Sequence, residues 1–173
     1  PEWTWTEGIA EDTSPVSRSE ARPSYGKAID RHADTVTGVH YSGAKRTELN
    51  SEFYGTGYRG AERARLADAT DPRIKRRVYF YTNNGTGITP ESGVGYHAHS
   101  VDLNNMYDGD SDPLKLWKTD ANTFESAVID AGYDGYYTRS FGDNGAAVLL
   151  GSHAVPVAYE GLGKRPDVAA VPI

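Results

Sequence analysis

The residues with types suited to chemistry are histidines, tyrosines and acids placed around one glycine-rich stretch. Phe53 to Arg63 reads FYGTGYRGAER. Gly55, Gly57 and Gly60 suit a backbone that adopts positive φ or lets a ligand come close. Tyr54 and Tyr58 flank the turn and offer faces on which a flat ring can stack. The run AERARLADA follows at once with helical spacing. Its first N–H groups would favour a phosphate or carboxylate at the loop, and Arg59 or Arg63 could meet a pyrophosphate. A plain reading also fits: a tight connection with surface tyrosines and solvated charges. His40 lies in VTGVHYS, Val36 to Ser42, which alternates like a strand. His40 and Ser42 would share one face and Tyr41 the other. An imidazole so placed can bond a ribose hydroxyl, or be an ordinary half-buried histidine.

Three further constellations carry weaker signals. His97 and His99 share a face of the expected strand GYHAHSV, with Asp102 just beyond. That is the start of a zinc or iron site, without a third ligand at fixed spacing. Asp108, Asp110 and Asp112 open like a calcium loop. The EF-hand pattern then wants Gly and Glu where Pro113 and Thr119 stand, so a solvated acidic loop is expected. No GxSxG, HExxH or GxxxxGK[ST] motif occurs. Gly55, Gly57 and Gly60 do spell GxGxxG, but a polar turn precedes them and no βαβ unit surrounds them.

The elements that must position these groups are short. The chain has 173 residues, enough for one domain with a tail. Its 19 glycines and 12 tyrosines point to turns and strands. A net charge of −6 removes a whole-chain basic footprint for nucleic acid. No cysteine is present, so disulfides, thiolate metal sites and a cysteine nucleophile are excluded. No apolar run reaches the ~20 residues of a membrane span. A start at Pro1 reads as part of a longer polypeptide. Residues 1–33 read as an irregular lead-in with a possible helix from Ser24 to Ala33. The domain proper is expected over 34–161, and 162–173 as a tail. Strands are expected at Val36–Ser42, Val78–Thr82, Gly95–Val101, Tyr136–Arg139, Ala146–Leu150 and Val155–Tyr159. Leu103–Asp112 reads as loop, and Leu114–Trp117 as a helical turn. Helices are expected at Ala61–Ala69 and Thr123–Ala131, the second capped by Asn122 or Thr123 and closed by Gly132. The result is an α+β domain, a largely antiparallel sheet with a few short helices.

The ordered set VHYS, FYGTGYRGAE, VYFY, FESAVIDAGYDGYY, AAVLL and VPVAYEG resembles the ADP-ribosyltransferase-like domains of phage head-associated and polyvalent proteins and bacterial toxins. The similarity covers about Val39 to Gly161. It implies a split, largely antiparallel β-sandwich holding NAD in a cleft. It implies that His40 matches the first-strand histidine of that family and Tyr58 the aromatic packed on nicotinamide, with Tyr54 and Tyr81 as competitors. The NAD-binding set implied is His40, Tyr41, Ser42, Tyr54, Gly55, Gly57, Tyr58, Arg59 and Tyr81. The family places a Glu, sometimes Gln or Asp, on a late strand. Here Ala146-Ala147-Val148 carries no acid; Asp143 and Asn144 are the nearest polar residues, and Glu125 is the other candidate to join His40 and Tyr58 in catalysis. The activity implied is NAD-dependent mono-ADP-ribosyl transfer to a protein or nucleic acid, with no membrane involved, by a secreted, injected or cytoplasmic effector. The alternatives are an inactive NAD-fold binding module and a metal-independent ribonuclease. In the ribonuclease, His40, His97, His99 and the basic run Lys75–Arg77 would act as acid, base and RNA grip.

Overall fold

The computed structural model describes residues 22–23, 33–51, 60–82, 89–90, 96–139 and 145–164. In chain order these form β1 (Arg22–Pro23), β2 (Ala33–Ser42), β3 (Glu48–Asn50), α1 (Gly60–Ala67) and a 3-10 turn (Pro72–Lys75). There follow β4 (Arg77–Tyr81), β5 (Thr89–Pro90), β6 (Tyr96–Asp108), α2 (Ala121–Asp130), β7 (Gly135–Thr138), β8 (Ala146–Leu150), β9 (His153–Pro156) and β10 (Ala158–Lys164). The domain is α+β, rich in strands and poor in helix, and most strand pairs are antiparallel. No described helix is long and apolar enough to cross a membrane.

The sandwich expected from the resemblance is not the form the main sheet takes. The order β2-β4-β8-β7-β6 returns to β2, closing a five-strand barrel. Closure depends on the length of β6, which runs for 13 residues. One edge of β6 pairs with β2 from Ala33↔Tyr107 to Ser42↔His97. The other edge is shared. Its first half bonds β10, and its last residues, Met106 to Asp108, bond β7 in parallel. The parallel pair needs a long crossover, and α2 supplies it. A second sheet, β1-β9-β3, lies beside the barrel.

Alternation explains the wall. Val78, Phe80, Leu103, Met106, Ala147 and Leu149 form one buried cluster. Tyr79, Tyr81, Tyr107, Tyr136, Val148 and Leu150 form another, which packs on Phe124 and Val128 of α2. A helix covers the tyrosine face, so the first cluster fills the lumen. Both faces being buried, VYFY and AAVLL read as unbroken apolar runs. Leu49 and Val155 of the small sheet join the inner cluster.

Several boundaries differ from the sequence reading. Leu103–Asp112 was expected as loop, yet β6 continues to Asp108, because Leu103, Met106 and Tyr107 are fully buried in the wall. The expected strand Val155–Tyr159 breaks at Val157, and its halves enter different sheets. β10 extends to Lys164, into the stretch expected as tail. Ala33 opens a strand, and 24–32 lie outside the described residues. The cap of α2 is Asp120, whose carboxylate accepts the Thr123 N–H at 2.8 Å. Gly132, at φ 94°, follows its last turn.

Two glycines are set by lumen space. A Cβ at Gly38 would lie 2.8 Å from the Phe80 Cβ. A Cβ at Gly135 would lie 1.9 Å from the Val148 carbonyl oxygen, a backbone atom that cannot swing aside. Gly135→Ala should therefore destabilise the fold by about 3 kcal/mol or more. Urea denaturation measures this, and a loss under 1 kcal/mol would contradict the packing described.

Candidate functional site

His40 occupies the lumen side of β2 two residues from its end. It stands opposite His99 of β6, and Ser42 stands opposite His97. Moving outward along the lumen, Val101 gives way to the imidazoles of His99 and His40, then to His97 and Ser42. His40, His99 and Ser42 are fully buried and His97 is half-buried. The barrel thus has one polar end built from two neighbouring strands.

The imidazoles are held by backbone. His40 Nδ1 lies 2.7 Å from the Tyr79 carbonyl oxygen, which can only accept. Nδ1 therefore carries the hydrogen, and Nε2 is an acceptor in the neutral ring. The ring also packs at 5.8 Å from Phe80. His99 is bound the other way round: its Nε2 accepts the Arg46 N–H at 2.8 Å. That bond folds the 43–47 turn back over the start of β6. Ser42 Oγ donates to the Ala44 carbonyl and accepts the Ala44 N–H, which steadies the same turn. Tyr159 of β10 pairs with His99 in register and accepts or donates at 2.9 Å to His97 Nδ1.

Other expected site residues lie elsewhere. Tyr41 and Tyr81 are fully buried on the opposite, tyrosine face, ring against ring at 5.7 Å. They belong to the packing against α2 and do not meet His40, because successive strand residues face opposite ways. Tyr54, Gly55, Gly57, Tyr58 and Arg59 lie outside the described residues.

Glu125 is also on the tyrosine face, so the structure does not bring it to His40. It is wholly buried, and its two oxygens accept from Arg77 on β4, Arg65 on α1 at 2.9 Å and the Tyr136 hydroxyl at 2.6 Å. Arg77 also binds the Ile74 carbonyl, and Arg65 exchanges bonds with Asn122. Burial alone would push the Glu125 carboxyl up, but Arg77 and then Arg65 outweigh it and hold it at about 2. Burial and the Glu125 charge push the Tyr136 phenol well up. This is a carboxylate used to hold four elements together. The sequence hid it among the polar positions of an amphipathic helix; the signal was Arg77, a cation opening an apolar strand.

The remaining constellations resolve as structure. Asp102 alternates away from His97 and His99 and accepts from Thr37 at 2.9 Å. Among the described residues no group of three His, Asp or Glu could hold a metal ion. The aspartates of the 108–112 turn are occupied: Asp108 takes the N–H groups of Asp110 and Ser111, and Asp112 those of Leu116 and Trp117. The basic run does not form a stripe, since Arg77 is buried against Glu125 and Arg76 bonds Ser152. Ser51, His153 and Asp134 meet in space like a nucleophilic triad. However, Ser51 Oγ bonds only the backbone of His153, and the ring spends its nitrogens on the Leu150 carbonyl and Asp134. No imidazole lone pair faces the serine, so the trio pins β9 rather than activating a hydroxyl. Tyr159 carries no sequence signal for this role, since a register shift between Tyr159 and Gly161 interrupts the alternation of β10.

Comparison with family models, with curated proteins and with solved structures finds no match for this chain.

Glu125→Gln should cost about 3–5 kcal/mol in unfolding free energy, because it leaves the buried Arg77 guanidinium, and the partly buried one of Arg65, uncompensated. The wild-type carboxyl is depressed from 4.5 to about 2. Its contribution is complete above pH 4.5 and is lost as pH falls from there towards 2. Melting curves across that window should fall more steeply for wild type than for the Gln variant. Equal slopes would mean that Glu125 is not ionised in the fold.

Proposed function

We propose that this chain is an NAD-dependent mono-ADP-ribosyltransferase domain of the phage and toxin type, acting on a protein or nucleic-acid acceptor. On this reading the branching of β6 between β7 and β10 corresponds to that family's split between two sheets. The carrying observation is the polar barrel end, where His40 and Ser42 of the first long strand stand in register with His99 and His97. The family's first-strand histidine serves at such a strand end, and here Tyr79 fixes the orientation of its ring.

The chemistry needs little covalent help. The bond between nicotinamide and the ribose C1′ breaks, and nicotinamide leaves with the electron pair. The ribose carries the developing positive charge until the acceptor's nucleophile attacks C1′ and gives up its proton. The protein's work is to grip the dinucleotide, hold the ribose hydroxyls and place the acceptor. His40 and Ser42 would hold hydroxyls. Tyr54, Tyr58 and the glycine stretch keep the roles the sequence suggests for them, stacking nicotinamide and approaching the phosphates.

A second reading is NAD binding without turnover, by a domain of the same fold. It is favoured by the state of Glu125, whose oxygens are committed to Arg77, Arg65 and Tyr136. Incubation with NAD, with nicotinamide release read by chromatography and acceptor labelling by tagged NAD, separates the two. Transfer predicts release that His40→Ala lowers about 100-fold, read at a temperature where a melting curve shows the variant still folded, because loss of this buried ring also lowers stability. Binding without release supports the second reading, and absence of NAD binding rejects both.

A further inference from the structure

The turn SGAKRT, residues 42–47, puts two adjacent cations beside the polar barrel end of a chain with net charge −6. The turn is pinned along its length. Ser42 bonds Ala44, the Arg46 N–H bonds His99, and the Thr47 carbonyl accepts the Val157 N–H at 3.1 Å. Lys45 stands between these anchors with its side chain exposed. Its ammonium lies 4.8 Å from the centre of the Tyr159 ring and makes no ion pair among the described residues. The Tyr159 ring is itself held, by His97 Nδ1 at 2.9 Å and by the His99 ring at 5.4 Å. With Nδ1 engaged by the Tyr159 hydroxyl, the other ring nitrogen of His97, Nε2, is directed away from Tyr159 and donates or accepts according to the tautomer.

A cation whose backbone is already fixed, above an aromatic ring and beside an imidazole, matches a phosphate attached to a flat base. Preorganisation matters because little backbone freedom is left to lose on binding. We infer that Lys45, His97 and Tyr159 form a subsite for the diphosphate of a nucleotide, entering beside the His40–His99 row. The inference rests on the proposed function for its identification of that nucleotide with the ADP half of NAD. It assigns the diphosphate to the 43–47 turn rather than to Arg59 or Arg63.

The test uses the full chain and two probes, ADP and NAD, with affinities from calorimetry at two salt concentrations. Wild type should bind ADP, more weakly at high salt. Lys45→Ala should weaken ADP about tenfold and flatten the salt dependence, and Lys45→Arg should keep most of the affinity. Asp102→Asn, on the opposite face of β6, should change nothing. If Lys45→Ala binds ADP as wild type does, the subsite is wrong even where NAD is bound and cleaved. If wild type binds ADP through Lys45 but releases no nicotinamide from NAD, the subsite stands and transferase activity falls. Binding of neither probe overturns both.

Discussion

The fold depends on one buried carboxylate. Glu125 accepts from β4, α1 and β7 at once, and Arg77 carries the same node to the turn before β4 through the Ile74 carbonyl. Two fully buried charges are costly unless every polar atom finds a partner. Here the partners come from five separate stretches of chain, so the charges are satisfied only when those stretches are docked together. That requirement fixes where α2 lies on the barrel. It also fixes α1, whose Arg65 reaches both Glu125 and Asn122.

The barrel wall then separates two environments with the thickness of one strand between them. On the outer face, Phe124 packs edge-on to Tyr136 at 5.1 Å and Tyr107 packs on Tyr133 at 4.9 Å, with the ion node among them. On the inner face, aliphatics and Phe80 pack so closely that Gly38 has no room for a methyl group, and Gly135 has none against the Val148 carbonyl. Alternation along each strand decides which environment a residue meets. His40 and Tyr41 are adjacent in sequence and lie on opposite sides of that wall.

The strands that were legible in the sequence are those with strong local patterns. VYFY and AAVLL were visible as apolar runs, and β2 through its alternation. TFESAVIDA was visible through its helical period and Gly132. The register was not legible, because pairing of His40 with His99 depends on a contact between residues 59 positions apart. The extension of β6 was hidden by the polar letters of DLNNMYD, since Asp102 and Asn104 face away from the lumen while Leu103 and Met106 are buried. Glu125 looked like a reactive acid for the reason that makes it structural: an isolated carboxylate on an apolar face needs a cation, and that cation came from a distant strand.

The distribution of charge bears on what the polar end can do. Departure of nicotinamide leaves positive charge on a ribose, and a carboxylate nearby would lower that barrier most directly. Of the acids the sequence offered, Glu125 and Asp102 lie on the far side of the wall from His40, and Asp143 lies outside the described residues. Glu160 also faces away, bonded by Ser100, which alternates with His99 along β6. The groups that do gather at this end are imidazoles, a serine hydroxyl, a phenol and an ammonium. Those groups favour anions and hydroxyls. On the proposed function, the described part of the molecule would be better fitted to gripping a nucleotide than to stabilising a cation. Rapid transfer would need an acid supplied from outside this wall, whereas retention of the dinucleotide would not.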